Sequence, residues 1–338
     1  MTETYEPSHR SGRPSGSLET RGAALAEALG YVAAWRRMRV VVKYGGHSMT
    51  PEGEGTLIED VALLHRAEVR VVLVHGGGPE ISELLERLGV PARFVDGLRV
   101  TDEPTMRVVE MVLGGGINKR LVGRLQAFGA RAVGLSGKDG DLLQAVPHER
   151  AELGLVGRVA AVDTGVLTTL LDGGFVPVIA PLARGEGGIT YNVNADLAAA
   201  AIAGALEAEK FLLLTDVPGV LDVRQDPPRL ISELRPDEAR QLIADGVVSR
   251  GMIPKVESCL SALDRGVRSA HILSAATPRA LLLELFTDSG IGTMIRTHRE
   301  QSRRSEPARR EASRERRPAG SGADPENASK AGSRSGRT

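Results

Sequence analysis

The stretch VVLVHGGGPE, residues 71–80, contains four apolar residues that run directly into His75 and three glycines. An apolar, mostly β-branched run of this length indicates a strand buried on both faces. Glycines directly after a strand allow the backbone to approach a ligand closely, as phosphate-binding turns do. Pro79 and Glu80 follow instead of a lysine. A phosphate bound here would therefore need positive charge from elsewhere in the chain.

Similar runs recur along the chain and alternate with helical patterns. The apolar runs lie at 39–43, 71–74, 131–134, 176–180, 211–214 and 270–273, and helical spacing occurs at 58–66, 81–88, 106–128, 195–205 and 255–265. This alternation predicts a three-layer α-β-α sandwich with a mainly parallel central sheet. Segments 142–161 and 187–191 predict additional short antiparallel strands.

The composition excludes several protein classes. The 338 residues are 41% hydrophobic with a net charge of zero, which gives no sign of nucleic-acid binding. The single Cys259 excludes an intramolecular disulfide framework and a multi-cysteine metal site. No signal peptide is evident, and no apolar run approaches the roughly 20 residues that cross a bilayer. We expect a cytoplasmic protein without a membrane segment.

The two ends differ from the middle. Residues 1–38 read as a flexible leader followed by a helix at 18–37, whose apolar stripe requires a partner surface; the stripe comprises Leu25, Leu29, Val32 and Trp35. The tail, 297–338, carries 11 basic and 6 acidic residues and almost no large apolar ones, so it is expected to be disordered. It is either a solvated tail or a weak binding segment for an anionic partner. The domain between them, 39–296, divides into lobes at 39–205 and 206–296.

Glycine clusters follow four of the predicted strands, at 45–46, 76–78, 136–140 and 216–219. In a parallel sheet all four lie at the carboxyl edge, where open α/β folds bind ligands. Lys43 ends its strand just before Tyr44 and two glycines, which favours a charge delivered to a phosphate over a lysine that merely reaches solvent. Neither a Walker loop nor a dinucleotide fingerprint occurs, which disfavours P-loop ATPases and ordinary dehydrogenases.

A series of motifs resembles the N-acetyl-L-glutamate kinases within the amino acid kinase family. They cover roughly residues 18–296 in the family's order and are VVKYGGHSM (41–49), VHGGGP (74–79), FVDGLRVTD (94–102), VGLSGKDG (133–140), YNVNAD (191–196), LLTDVPG (213–219), GMIPKV (251–256) and ELFTDSGIGT (284–293).

The resemblance implies transfer of the γ-phosphoryl group of ATP to the side-chain carboxylate of N-acetyl-L-glutamate, in arginine synthesis. A carboxylate is already nucleophilic, so the obstacle is charge, and positioning and electrostatics must supply the rate. By resemblance Lys43 and Lys255 stabilise the transferring group, and Asp196 orients both. The alternative for Asp196 is an N-cap of the helix at 195–205.

The other site residues also follow from the resemblance. The phosphates and the acceptor would meet backbone N–H groups of Gly45, Gly46, Gly77 and Gly78; Arg99 would clamp the substrate α-carboxylate, unless it is a surface arginine; Asn192 would bind the acceptor; Thr215, Asp216 and Gly219 would belong to the nucleotide subsite. Mg²⁺ is expected through the ATP phosphates, with no dedicated protein metal site. His75 and Tyr44 are expected to support their loops.

Regulation and assembly follow the same resemblance. Arginine-inhibited relatives carry an extra N-terminal helix that joins dimers into a hexamer, a trimer of dimers. L-Arginine would bind near Tyr31, His271, Glu284, Gly290 and Gly292. Some lineages also bind a PII-type signalling protein, which is therefore a candidate partner. Two departures are Ser274-Ala275-Ala276, where relatives commonly read Asp-Gly-Arg, and His47 in place of Asn.

Two other functions remain in view. One is a kinase for a related acceptor, such as a carrier-linked aminoadipate, against which the 94–101 block argues. The other is a catalytically weak arginine-sensing scaffold, against which Lys43, Asp196 and Lys255 argue.

Overall fold

The computed structural model describes residues 18–45, 51–249, 251–287 and 290–297. Its strands are β1 (Arg39–Tyr44), β2 (Arg70–His75), β3 (Phe94–Val95), β4 (Leu98–Arg99), β5 (Ala132–Ser136), β6 (Leu143–Pro147), β7 (Val156–Val162), β8 (Val176–Ala180), β9 (Leu182–Arg184), β10 (Thr190–Val193), β11 (Lys210–Thr215), β12 (Leu221–Asp222), β13 (Arg229–Leu230), β14 (Glu233–Leu234), β15 (Ser269–Ser274) and β16 (Thr293–Arg296).

The α-helices are α1 (Leu18–Trp35), α2 (Pro51–Arg66), α3 (Gly78–Arg87), α4 (Glu103–Glu110), α5 (Asn118–Ala127), α6 (Gly165–Asp172), α7 (Ala195–Ala205), α8 (Pro236–Ala244), α9 (Ile253–Asp264) and α10 (Ala280–Phe286). A π-helical segment, Met111–Ile117, joins α4 directly to α5.

The central sheet has eight strands in the order β14-β16-β15-β11-β1-β2-β8-β5. Pairing is parallel from β15 through to β5, and β16 runs antiparallel to β15. Strand β1 lies between β2 and β11. The chain first adds the strands on the β2 side and later those on the β11 side, so the strand order reverses at β1. Ligand crevices of open α/β folds form at such a point, outside the carboxyl ends of the strands.

Alternating side chains of each strand enter different cores. In β1, Val41 packs with α7 and α9 on one face, whereas Val40, Val42 and Tyr44 pack with α2 and α5 on the other. Both faces are apolar because helices cover both, as in other parallel sheets. The predicted three-layer arrangement is confirmed, and all six predicted strands lie in this sheet.

A second, smaller sheet closes on itself in the order β10-β7-β6-β9. The prediction of extra strands near 142–161 and 187–191 is confirmed, with antiparallel pairing of β6 with β7 and of β9 with β10. The closed sheet also contains parallel pairs, β10 with β7 and β6 with β9, which the pattern did not predict. This sheet holds Asn192 beside the carboxyl edge of the central sheet.

The two parts of helix α1 differ in burial: its last residue, Trp35, is packed, whereas two leucines earlier in the helix are exposed. Trp35 packs against the core that contains α2, whereas Leu25 and Leu29 are 62% and 59% exposed. The helix contacts α10. The predicted leader (the first 16 residues), Gly46 and His47 lie outside the described residues, as does the predicted tail from residue 298.

Candidate active site

A cavity of about 590 Å³ opens at the carboxyl ends of β1, β2 and β11. Three of the basic side chains that line it are Lys43, Arg99 and Lys255, and two acidic ones are Asp196 and Asp216. Helices α3, α7 and α9 all begin at this cavity, so their N-terminal backbone N–H groups favour an anion there.

Lys43 forms a buried ion pair with Asp196. Its side chain emerges on the Val41 face of β1, where α7 and α9 pack, because residues two apart in a strand share a face. The ammonium Nζ lies 2.7 Å from Oδ1 of Asp196, and the two side chains are 8% and 12% exposed. The pair fixes the direction of the lysine while leaving it on the cavity wall.

Asn194, which lies two residues before Asp196, caps the start of α7. The Asn194 side-chain oxygen accepts hydrogen bonds from the backbone N–H groups of Asp196 and Leu197, at 2.9 and 3.1 Å. The alternative of Asp196 as the N-cap is therefore wrong, because Asn194 occupies that position. The Asp196 carboxylate is left to face Lys43.

Lys255 lies in the first turn of α9 and lines the same cavity. Its ammonium forms no ion pair with any carboxylate in the described part of the chain. The structure thus brings both lysines and Asp196 to one cavity but pairs Asp196 with Lys43 alone. An orienting contact between Asp196 and Lys255 stays a prediction.

Arg99 is held at the far side of the cavity by the β3–β4 hairpin. Asp96 and Gly97 form its tight turn with φ values of 47° and 80°, the positive pair that type I′ hairpin turns require. Arg99 Nη2 donates to the Gly78 carbonyl and to Ser82 Oγ, at 2.9 and 2.7 Å. The guanidinium carbon lies 4.7 Å from the Phe94 ring centroid.

The other terminal nitrogen of Arg99, Nη1, is buried without a hydrogen-bond partner among the described residues. Arg99 is only 8% exposed, and burial lowers the pKa of its guanidinium. A guanidinium nonetheless stays protonated at neutral pH. Leaving a buried, charged donor without a hydrogen bond costs free energy. The site therefore favours an anionic ligand that accepts from Nη1. The reading of Arg99 as an ordinary surface arginine is wrong, because it is buried.

The two glycine loops are in direct backbone contact. The Gly76 N–H donates to the Tyr44 carbonyl at 2.8 Å, and a Cβ on Gly45 would lie 2.6 Å from the Gly76 nitrogen. A Cβ on Gly77 would lie 2.3 Å from Ile117 Cδ1, whereas one on Gly78 would meet no atom within 4 Å. Gly45, Gly77 and Gly78 all line the cavity.

His75 is a buried neutral support for the second loop. Its Nδ1 donates to the Gly76 carbonyl at 2.9 Å, which leaves Nε2 to accept from Asn118 Nδ2 at 3.3 Å. Asn118 also donates to the Val178 carbonyl at 2.8 Å. Burial lowers the pKa of His75 to about 4. The structure places His75 behind the glycines, as expected of a loop-supporting residue.

Two of the three predicted nucleotide residues reach the cavity. Thr215 and Asp216 line it, and Thr215 Oγ1 donates to Asp216 Oδ1 at 2.9 Å. Gly219 is not among its lining residues. A Cβ there would lie 2.6 Å from Thr293 Oγ1, which accepts the Val220 N–H, so Gly219 permits close packing of the loop on β16.

Asn192 lines the cavity from β10 and connects to Arg99 through one residue. Its Nδ2 donates to Thr101 Oγ1 at 3.2 Å, and Thr101 Oγ1 donates to the Arg99 carbonyl at 2.9 Å. The two predicted acceptor-binding residues are therefore tied together by hydrogen bonds.

The predicted effector residues meet away from this cavity. His271 Nδ1 lies 2.5 Å from Glu284 Oε1, and Glu284 Oε2 accepts the Ile291 N–H at 2.9 Å. Burial acts to raise the pKa of Glu284, but the His271 hydrogen bond and nearby positive charge hold it below its usual value. Gly290 lies against this carboxylate and Gly292 against the Ile272 carbonyl. Tyr31 lies on α1, which contacts α10.

Several cavity residues were not singled out from the sequence. Ser249 and Met252 line it near Lys255, Phe94 covers Arg99, and Leu113 contributes from the π-helical segment. A π-helical turn often marks a functional site, but the sequence pattern of 106–128 does not distinguish it from α-helix.

No group of three or more histidine, cysteine or acidic side chains that could hold a metal occurs among residues 18–45, 51–249, 251–287 and 290–297. Within the same ranges, no helix is long and apolar enough to span a bilayer.

Known proteins with similar sequences include acetylglutamate kinases. An acetylglutamate kinase from Synechococcus sp. (strain CC9605) is 54% identical over 277 residues, which cover 81% of this chain and 94% of that protein. An acetylglutamate kinase from Symbiobacterium thermophilum is 49% identical over 284 residues, covering 81% and 97%.

Solved structures are similar as well. The N-acetylglutamate synthase of Neisseria gonorrhoeae, complexed with coenzyme A and N-acetyl-glutamate, has a TM-score of 0.73 at 29% identity; the match covers 82% of this chain and 63% of the synthase. The carbamate kinase of Giardia lamblia bound to AMP-PNP has a TM-score of 0.59 at 19% identity, over 77% of this chain and 98% of that one, which shows the fold alone. Residues 38–274 match the model of the amino acid kinase family, and with these relatives the match shows that the chain belongs to that family and, within it, to the acetylglutamate kinases.

Proposed function

We propose that this chain is an enzyme that transfers the γ-phosphoryl group of ATP to the side-chain carboxylate of N-acetyl-L-glutamate, in arginine biosynthesis. The product is the acyl phosphate, N-acetyl-L-glutamyl 5-phosphate. The carboxylate oxygen attacks phosphorus, the bond to the bridging oxygen breaks, and ADP leaves with the electron pair. No general base is needed, because a carboxylate is already ionised at neutral pH.

The charges around the cavity fit this chemistry. Lys43, oriented by Asp196, would approach the transferring group from the acceptor side, and Lys255 from the nucleotide side. Two separate ammonium groups suit a loose transition state whose charge spreads over the equatorial oxygens. Backbone N–H groups at Gly45, Gly77 and Gly78 would add donors without a charge of their own.

Mg²⁺ would be held by the phosphates of ATP, since the described residues offer no group of three metal-ligating side chains. It would supply charge neutralisation between the β- and γ-phosphates. Thr215 and Asp216 would contribute to the nucleotide side of the site.

The observation that carries the proposal is Arg99 Nη1, a buried cationic donor without a partner among the described residues. It lines a cavity that also contains both lysines. Because Nη2 is already bonded to the Gly78 carbonyl and to Ser82, Nη1 is the donor left for a ligand carboxylate, and the charges on both groups strengthen that hydrogen bond. An acceptor with an α-carboxylate at one end and a reacting carboxylate at the other satisfies both regions.

The test is an acceptor screen with purified protein, ATP, Mg²⁺ and hydroxylamine, which traps an acyl phosphate as a hydroxamate. N-acetyl-L-glutamate is expected to give product. The Arg99→Lys variant is expected to raise the KM for it about 10- to 100-fold, because a lysine lacks the second terminal nitrogen that lets Arg99 hold Gly78 and Ser82 while Nη1 faces the ligand. Product with a carrier-linked aminoadipate and none with N-acetyl-L-glutamate would overturn the substrate. No product with either would favour a sensing scaffold.

Arginine inhibition and hexamer formation complete the proposal. L-Arginine would bind beside His271, Glu284, Gly290, Gly292 and Tyr31, with its guanidinium facing Glu284. The exposed Leu25 and Leu29 of α1 would pack on the same helix of another subunit, giving a trimer of dimers. Inhibition of hydroxamate formation by arginine in wild type, lost in Glu284→Gln, tests the effector site; an unchanged response in the variant refutes it.

A further inference from the structure

A cluster of four charged side chains lies on the face of the sheet opposite the two ammonium groups. We call it the α5 cluster; it comprises Glu54 of α2, Glu80 of α3, and Arg120 and Arg124 of α5. Arg120 binds Glu80 through both terminal nitrogens, at 2.8 and 3.2 Å, and its Nη2 also reaches Glu54 at 3.4 Å. Arg124 binds Glu54 alone, at 2.6 Å.

Burial makes these contacts more than surface ion pairs. The Glu54 side chain is only 7% exposed and has two arginines against it. The Arg120 and Glu80 side chains are 40% and 34% exposed, so their pair is partly shielded. The hydrogen bond to Glu80 is the main cause of a raised Arg120 pKa. Arg120 is thus the one member of the α5 cluster bonded to both acidic residues.

Each acidic residue belongs to the first turn of a helix that follows a glycine loop. Glu80 comes two residues after Gly78, and Glu54 lies in the first turn of α2, which follows β1 in the chain. The α5 cluster also faces Tyr44, the last residue of β1. Burial, followed by the negative charge of Glu54, raises the Tyr44 pKa, against the opposing effect of the two arginines.

The two loops therefore meet at two levels. At the cavity, Gly76 bonds the Tyr44 carbonyl, and Gly45 has no room for a Cβ. Behind the cavity, Arg120 joins the helices that continue from those loops. A shift of α3 relative to α2 would move Gly45 against Gly77 and Gly78. Phosphoryl transfer requires the reacting groups to be placed to well within about 1 Å, so such a shift would slow the reaction.

We propose that Arg120 is a positioning residue that holds the Gly45 and Gly76–Gly78 backbones in mutual register by bridging Glu54 and Glu80. Its guanidinium suits this role because a planar fork can satisfy two carboxylates from different directions. The inference rests on the proposed function only where it identifies the cavity as the place of phosphoryl transfer.

The primary test is amide hydrogen exchange of the protein without substrates. Arg120→Met is expected to raise exchange in residues 76–82 at least about tenfold, because the first turn of α3 loses its anchor. Arg124→Met is the matched control: it removes the same side chain one turn further along α5 but leaves Glu80 paired. It is expected to change exchange in 76–82 less than about twofold. Equal exchange in both variants would overturn the proposal.

Kinetics give a second, independent readout. Arg120→Met is expected to lower kcat about 10- to 100-fold with KM values changed less than about threefold, because register affects the transition state more than ground-state binding. Arg120→Lys, which keeps the charge but loses the fork, should lie between wild type and Met. An unchanged kcat in Arg120→Met refutes the role.

The two proposals fail in different ways. If wild type forms no hydroxamate, the proposed function fails, yet the exchange comparison still decides whether Arg120 holds the loops. If wild type is active and exchange in 76–82 is unaffected, only the Arg120 proposal fails. The melting temperature of Arg120→Lys is expected to lie near that of wild type. This control shows that a loss of activity in that variant does not come from a failure to fold.

Discussion

Lys43 and Lys255 line the same cavity but differ in burial and in their carboxylate partners. Lys43 is buried against Asp196, whereas Lys255 is half-buried and has no carboxylate partner among the described residues. A buried ion pair broken on one side leaves an unpaired charge in low dielectric. A lysine without a partner can be removed at little cost to folding, because its role is exerted only when an anion is bound.

This difference separates catalysis from stability. We expect Lys255→Met to lower kcat about 100- to 1000-fold while changing the free energy of unfolding by less than about 0.5 kcal/mol. Asp196→Asn should lower kcat and also destabilise by about 3–5 kcal/mol, because Lys43 stays charged and buried. Denaturant unfolding and the hydroxamate assay measure the two effects. Equal stability losses in the two variants would contradict the assignment.

At the scale of elements, the π-helical segment decides how closely α3 can start beside the cavity. It places Leu113 and Ile117 against Gly77, where a Cβ would lie 2.7 and 2.3 Å from their terminal methyl groups. The space around Gly77 therefore has no room for a side chain. The adjacent Gly78 has open space instead.

Substitutions of the two glycines should therefore differ. Gly77→Ala is expected to destabilise by about 1–3 kcal/mol through overpacking and to lower kcat by displacing the loop. Gly78→Ala should keep stability within about 0.5 kcal/mol of wild type. The double variant Gly77→Ala/Ile117→Val removes the nearest clashing methyl and should recover part of the stability. A double variant as unstable as Gly77→Ala would show that the clash lies elsewhere.

At the scale of the whole molecule, the buried His75 makes stability depend on pH. Its folded pKa of about 4 lies below the 6.5 of an exposed histidine. Between these values the unfolded chain binds more protons, so stability is fully present above about pH 6.5 and falls as pH drops toward 4. The loss due to this residue is on the order of 3 kcal/mol.

Denaturant unfolding of wild type and His75→Asn from pH 7.5 to pH 4 measures this contribution. Asn retains a donor for the Gly76 carbonyl but does not titrate. The wild-type protein should lose more stability than the variant across that range, and other titrating groups cancel in the comparison. Parallel curves would mean that His75 is not the titrating group.

Assembly is also a property of the whole molecule, and the apolar stripe of α1 tests it. Leu25→Glu/Leu29→Glu is expected to reduce the proposed hexamer to a smaller oligomer, because two charges would be buried at a helix–helix contact. Domain unfolding should be unaffected, since both side chains are exposed in one subunit. Light scattering after gel filtration gives the mass. Leu88→Glu, at a similarly exposed leucine, is the control, and an unchanged hexamer in the double variant refutes the contact.

Much of the fold and of the candidate site follows from local patterns. The six strands and most helices were predictable because a β-branched run and a 3.6-residue period are visible in short windows. The glycines after those strands predicted the edge at which ligands bind, because parallel strands share one carboxyl edge. Short helices such as α6 and α10 were missed, since their few turns carry little periodicity.

Partnerships across the sheet were beyond these patterns. That Asn194 caps α7 while Asp196 turns to Lys43, and that Arg120 joins Glu54 to Glu80, depends on which helices pack on which face. The sequence by itself determined the alternation of strands and helices, the edge of the sheet at which the glycine clusters lie, and the presence of Lys43 and Lys255 near that edge. Only the tertiary structure decided which charges meet, because strand order and side-chain register bring together residues that no local spacing connects.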